Sequence, residues 1–173
     1  MPDFLKVSQV LSNLEIKDNM MAAEFGCGSA DFSLNLAKQL KHGRVYALDI
    51  QEEKLSALKG KMAHENIRNI VTALCDLEAK KGSMLQDDFL DVVLITNVLF
   101  QAENKYTIIE EAARVVKAGG QILVVDWLKE SPFSPKEGMI LPPEVKGMAE
   151  KLGLSLKKEF AVGDYHYGLV FIK

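Results

Sequence analysis

Residues 22–30, Ala-Ala-Glu-Phe-Gly-Cys-Gly-Ser-Ala, constrain this chain more than any other stretch. An apolar run ends in Glu24, two glycines follow at Gly26 and Gly28, and a long amphipathic segment comes next. That order predicts a strand, a tight turn and a helix. Glycines in such a turn let the backbone approach a ligand, because no Cβ stands in the way. The turn also meets a helix N-terminus, whose first N–H groups have no partner inside the helix. The pattern points to a nucleotide-like cofactor, although an ordinary strand–helix turn has the same outline.

A dinucleotide fingerprint requires G-x-G-x-x-G/A, with a small last residue for close helix–strand packing. Counting from Gly26, that position is Asp31. Glu24 before the turn would also repel a pyrophosphate, whereas a cofactor with a cationic head suits it. The segment Glu24-Phe25-Gly26-Cys27-Gly28-Ser29-Ala30 resembles the first motif of class I S-adenosylmethionine-dependent methyltransferases, E/D-x-G-x-G-x-G. Ala30 replaces the third glycine, and as a non-glycine residue it is expected to avoid positive φ.

The remaining pattern alternates. Helical spacing occupies 3–14, and strands are expected at 20–25, 44–50, 70–74, 91–95 and 121–126. Helices are expected at 31–41, 52–63, 106–117 and 142–152, with Gly119-Gly120 stopping the third. The run Asp91-Val92-Val93-Leu94-Ile95 is almost continuously apolar, as in a strand buried on both faces of a parallel sheet. Runs at 155–162 and 168–172, separated by 163–167, predict a hairpin and hence antiparallel strands. The fold class is therefore α/β, doubly wound and Rossmann-like. It has a seven-stranded, mostly parallel sheet that ends in an antiparallel hairpin, in a single domain over 1–173. The methyltransferase resemblance covers nearly the whole chain and implies this same architecture.

Ligands of open α/β sheets bind outside the carboxyl ends of the strands. Glu24, Asp49 and Asp76 all lie at such ends, and Asp49 follows the turn at about the 20-residue spacing of a ribose-binding acid. Each acid alone could be a cap or turn former. The resemblance implies S-adenosylmethionine as cofactor. It gives Asp49 the ribose, Ile50 a place on the adenine, Asp76 the adenine amino group and Leu77 the ring. Gly26 and Gly28 would frame the methionine part and Glu24 would hold the ammonium directly or through water, with Cys27 and Asn97 counted among the cofactor-binding residues.

The acceptor face is expected from Thr96, Asn97, Gln101, Asp126, Tyr165, His166 and Tyr167. His166, Asp126 and Tyr165 are the catalytic candidates, because His166 titrates near neutrality. The alternative, that residues 165–167 are simply alternating hairpin side chains, stays open. Thr96-Asn97-Val98-Leu99-Phe100-Gln101 lacks the prolines of the Asn/Asp-Pro-Pro-aromatic tetrapeptide found in adenine- and glutamine-methylating enzymes. Residues 110–120 are similar to the helix-and-turn segment of the ubiquinone and menaquinone biosynthesis methyltransferases. These readings favour a small-molecule acceptor. The alternatives are a protein or RNA methyltransferase and a non-catalytic cofactor-binding partner subunit. Segment 127–141, with Trp127, Phe133, Met139 and Ile140, is expected to be a lid closing together with Phe4.

A net charge of −3 argues against a nucleic-acid footprint. Cys27 and Cys75 have no metal-ligand spacing and read as buried free thiols, so no metal is expected. Neither a signal peptide nor a membrane-length apolar run is evident, and a cytoplasmic location is expected.

Overall fold

The computed structural model describes residues 5–128 and 133–173. Seven strands form one sheet: β1 (Met21–Phe25), β2 (Arg44–Asp49), β3 (Ile70–Leu74), β4 (Leu90–Thr96), β5 (Val116–Trp127), β6 (Ser155–Val162) and β7 (His166–Ile172). Five helices connect or flank them: α1 (Val7–Leu11), α2 (Asp31–Gln39), α3 (Glu52–His64), α4 (Lys105–Val115) and α5 (Pro142–Lys151). The strand order is β3-β2-β1-β4-β5-β7-β6. Every pairing from β3 to β5 is parallel, and β7 runs antiparallel to both its neighbours.

Alternation of side chains explains why the central strands are apolar throughout. Ala23, Val93, Ile95 and Val124 enter a core on one face of the sheet, packed against α4 and α5. Ala22, Val92, Leu94, Leu123 and Val125 enter a second core on the opposite face, packed against α1, α2 and α3. Between β1 and β4 the strand order reverses, and this opens a crevice at their carboxyl ends.

The structure redraws several expected boundaries. The first helix is only Val7–Leu11 among the described residues, and Phe4 lies outside them. Gly119-Gly120 does not stand between helix and strand. The α4 helix ends at Val115 and β5 begins at once, with an irregular register between the Leu90↔Val116 and Val92↔Gln121 pairs. Gly119 N donates to Lys173 O at 2.8 Å, and Lys173 N donates to Gly120 O at 3.2 Å. The end of the chain thus stitches the two glycines into the sheet. The hairpin strand begins at His166 rather than 168, which moves His166 and Tyr167 out of the turn and into a buried ladder.

A network absent from the sequence reading secures the loop between β3 and β4. Buried Glu111 on α4 accepts from Ser83 N at 3.0 Å and from the Ser83 hydroxyl, and it pairs with Arg114 Nη2 at 2.6 Å. Arg114 also reaches Asp87. Among the described residues no helix is long and apolar enough to cross a membrane, and no group of three or more metal-ligating side chains is found.

Ala30 precedes α2 with φ +70°, contrary to the expectation from its side chain, and is almost wholly buried. The left-handed conformation costs an L-residue about 1–2 kcal/mol. Ala30→Gly is therefore expected to be tolerated within about 1 kcal/mol, its relief of strain offset by unfolded-state entropy. Ala30→Val, which adds β-branching and bulk at this site, should destabilise by about 2 kcal/mol or more in urea titrations.

Candidate functional site

The crevice at the strand reversal is a cleft of about 610 Å³. Its floor is the turn after β1. Gly26 takes φ +74° and its N–H donates to Leu48 O at 2.8 Å. A Cβ there would lie 2.5 Å from Val98 Cγ2, so glycine is needed for the approach of β4's following segment. Gly28 takes φ +46° and faces open space. It differs from Gly26 in that its demand for glycine is conformational rather than steric.

Asp49, at the end of β2, braces this turn. Its Oδ2 accepts from Gly28 N at 3.1 Å and its Oδ1 from Gln51 N at 2.9 Å. Each oxygen keeps lone-pair capacity on its other side for a hydroxyl pair. Ile50 beside it is 64% exposed, an apolar side chain at the rim of the cleft with nothing over it. At the end of β3, Asp76 Oδ1 accepts from Glu78 N at 2.9 Å, which turns the chain so that buried Leu77 faces the cleft.

Glu24 closes the inner end. Its Oε2 accepts from Ser33 N at 2.9 Å and Ser33 Oγ at 2.5 Å, and its Oε1 from Thr96 Oγ1 at 3.4 Å. Burial dominates and pushes its pKa up to about 8, against the pull of the Ser33 and Thr96 hydrogen bonds. Among the described residues no basic side chain offsets its charge, and Asp31 adds further repulsion. Asn97 follows β4 with φ +55°, its N–H bonded to Val125 O at 2.8 Å. The Asn97 Oδ1 is buried without a hydrogen-bond partner among the described residues, and Asn97 lines the cleft. Cys27 and Cys75 line it too. Burial is the main cause that raises their thiol pKa values to about 12 and about 11, so both are held as thiols.

One cleft thus brings together Glu24, Gly26, Cys27, Gly28, Asp49, Ile50, Asp76, Leu77 and Asn97. The described lining of the cleft does not include Asp126, Tyr165 or His166. Asp126 is fully buried at the end of β5, and burial raises its pKa to about 6. It accepts from Phe100 N at 3.2 Å and Trp127 N at 2.8 Å, so it anchors the Leu99–Gln101 turn, whose Gln101 does line the cleft. His166 pairs with Trp127 across β7 and β5, the two rings 4.2 Å apart. Burial lowers its pKa, and neither ring nitrogen has a partner among the described residues. Tyr165 stands in the turn, its ring 5.4 Å from that of Phe133.

No residue of the described part of segment 128–141 is in the cleft lining, although Gly138 packs against the Phe100 carbonyl of the Leu99–Gln101 turn; residues 129–132 lie outside the described residues. Ile140 is buried in the core, and its carbonyl accepts from Tyr167 Oη at 2.9 Å. The N-terminal segment lines the cleft through Leu5 and Val7. The sequence placed the N-terminal helix at this face but named Phe4 for it rather than these two residues.

A family model described as a methyltransferase domain matches residues 16–164. The chain belongs to this methyltransferase family. It is 27% identical over 133 residues to the demethylmenaquinone methyltransferase of Bacillus subtilis, a match covering 74% of this chain and 54% of that protein. A Bacillus cereus protein of the same name is 26% identical over 133 residues, with 74% of this chain and 53% of that protein covered. The chain spans about half the length of the curated relatives it matches. Among solved structures, an S-adenosylmethionine-dependent methyltransferase from Aquifex aeolicus superposes with a TM-score of 0.87 at 22% identity, covering 98% of this chain and 90% of that one. The [4+2]-cyclase SpnF superposes at 0.84 with 11% identity, covering 96% and 79%. Likeness at these identities is one of fold, and the cyclase shows that the fold carries more than one chemistry.

In this methyltransferase domain, the burial of Glu24 has a measurable consequence. A carboxyl whose folded pKa is raised to about 8 from 4.5 loses stability relative to the unfolded chain as pH climbs between those values. Glu24→Gln removes that cost. The variant should gain on the parent by more than about 1 kcal/mol as pH rises from 5 to 8, read from paired thermal melts at each pH.

Proposed function

We propose that this methyltransferase domain uses S-adenosylmethionine and passes its methyl group to a small, apolar acceptor of the quinol type. The observation that carries the cofactor is a cleft holding a buried carboxylate without a cationic partner and an orphaned amide oxygen, Glu24 and Asn97 Oδ1. Those acceptors fit an ammonium, whose charge would favour the ionised form of Glu24, and disfavour a pyrophosphate. Asp49, prepositioned by two backbone N–H groups, suits a ribose diol, and exposed Ile50 with buried Leu77 suits the two faces of an adenine. When bound, the cofactor supplies an electrophilic methyl on a sulfonium sulfur.

The chain's own part is to bind and align. Proximity and orientation provide the greater share of such a transfer. Leu5, Val7, Val98, Ala102 and Ile108 give the cleft an apolar wall for an acceptor and keep water from it, with Gln101 as the polar group on that side. Asp126 acts as a positioning residue through the backbone of Leu99–Gln101. His166 acts on this side through the packing of β7 against β5 and its stacking on Trp127, a supporting role rather than proton transfer; Tyr165, in the turn beside Phe133, has no part in the described cleft lining. The named activity of the Bacillus relatives supports a quinol acceptor, as does the apolar wall.

Calorimetry should give saturable binding of S-adenosylmethionine and none of NAD. Asp49→Ala should weaken it by about 1.5–3 kcal/mol, the worth of charge-assisted hydrogen bonds, with the fold retained by circular dichroism. An unchanged dissociation constant removes Asp49 from the site. For the acceptor, transfer of a labelled methyl group should appear on a demethylated naphthoquinol and not on peptide or RNA. Label on the macromolecules alone overturns the acceptor class while leaving the cofactor reading standing.

A further inference from the structure

The sheet has two edges, and they are built differently. The β6 edge carries Lys157, Lys158 and Glu159, with Lys157 paired to Glu15 and Glu159 to Lys146. Charged side chains on an edge strand discourage another strand from pairing there. The β3 edge is Ile70-Val71-Thr72-Ala73-Leu74, with no charge and no proline. Val71 is 39% exposed and Leu74 is 53% exposed.

Backbone alternation shows which groups of β3 are free. Asn69 O accepts from Val45 N, and Cys75 N donates to Asp49 O. The odd-numbered residues therefore face β2, and the N–H and C=O groups of Ile70, Thr72 and Leu74 face outward. Among the described residues no strand lies beyond them.

We propose that a second copy of this chain occupies that edge, β3 pairing antiparallel with β3 about a twofold axis at Thr72. Only one antiparallel register uses every outward group: Thr72 opposite Thr72, and Ile70 opposite Leu74. Continued by one pair at each end, that register sets Arg68 of one copy opposite Asp76 of the other, twice by symmetry. Arg68 and Asp76 are both exposed, and neither has an ion pair within its own chain among the described residues. Hydrogen-bond register and charge complementarity thus select the same arrangement. The β3 flank is basic before the strand and acidic after it, which suits self-pairing in the antiparallel sense and opposes a parallel one. Since Asp76 stands at the rim of the cleft, the pairing sets one cleft at each end of the seam.

Sedimentation velocity on the 173-residue chain, over concentrations up to about 100 µM, tests this. A reversible species of twice the 19.2 kDa chain mass is expected. Thr72→Pro removes an outward N–H without touching the β2 ladder, a place where an edge strand accepts proline. It should leave the protein monomeric. Arg68→Glu turns two attractive pairs into two repulsive ones and should raise the dimer dissociation constant by about tenfold. Lys158→Ala, on the other edge, should change nothing. Should Thr72→Pro lose its circular dichroism spectrum, Arg68→Glu decides alone. A monomer at every concentration, a dimer indifferent to Arg68→Glu, or a species that grows beyond two copies overturns the proposal.

Discussion

The buried carboxyl of Glu24 joins three elements between β1 and β4, where the strand order reverses. It belongs to β1, bonds the first turn of α2 through Ser33, and reaches β4 through Thr96. Burying that charge without a cation is costly, and its raised pKa records the cost. The sheet order leaves β1 and β4 to part at their carboxyl ends, so a polar group there can serve both neighbours and still face a cleft. The rest of the site is arranged around this anchor. Strain at Ala30, the close approach at Gly26 and the orphaned Asn97 Oδ1 all lie within the same turn or just past the end of β4 facing it.

Asp49 supplies the second fixed point. Its bonds to the Gly28 and Gln51 amides hold the Gly-rich turn against the end of β2, so the proposed ligand-binding carboxylate is itself a structural brace. Binding and folding are therefore linked at this residue. Asp126 illustrates the opposite division. It has the burial and raised pKa often associated with a catalytic acid, yet its hydrogen bonds go to backbone amides and it stands outside the cleft lining. At Glu24, Asp126 and His166 the shift comes from desolvation first, and geometry distinguishes the groups that face a ligand.

Much of the architecture was legible because it rests on local periodicity. The continuous apolar run 91–95 announced a strand buried on both faces, and the spacing of Gly26, Gly28, Asp49 and Asp76 placed one acid or turn at the end of each early strand. The boundaries that moved were those set by distant partners. Gly119-Gly120 looks like a helix stop in one dimension and becomes part of β5 because Lys173 bonds to it. His166 looks like a turn residue and becomes a buried strand residue because Trp127 pairs with it.

The sequence by itself determined the doubly wound sheet, its closing hairpin and the gathering of a turn and three acids at one end. Each depends on patterns of two or four residues, or on chain order, which handedness and short connections convert into position. Only the tertiary structure decided which side chains face the cleft. Leu5 and Val7 line it, Ile140 is buried under Tyr167, and Trp127 and His166 stack on one another across β5 and β7. The physical reason is that facing is settled by packing against residues far away in the chain. A five-residue helix or a hairpin flank has an apolar side in sequence, but the partner that covers it exists only once the sheet has formed.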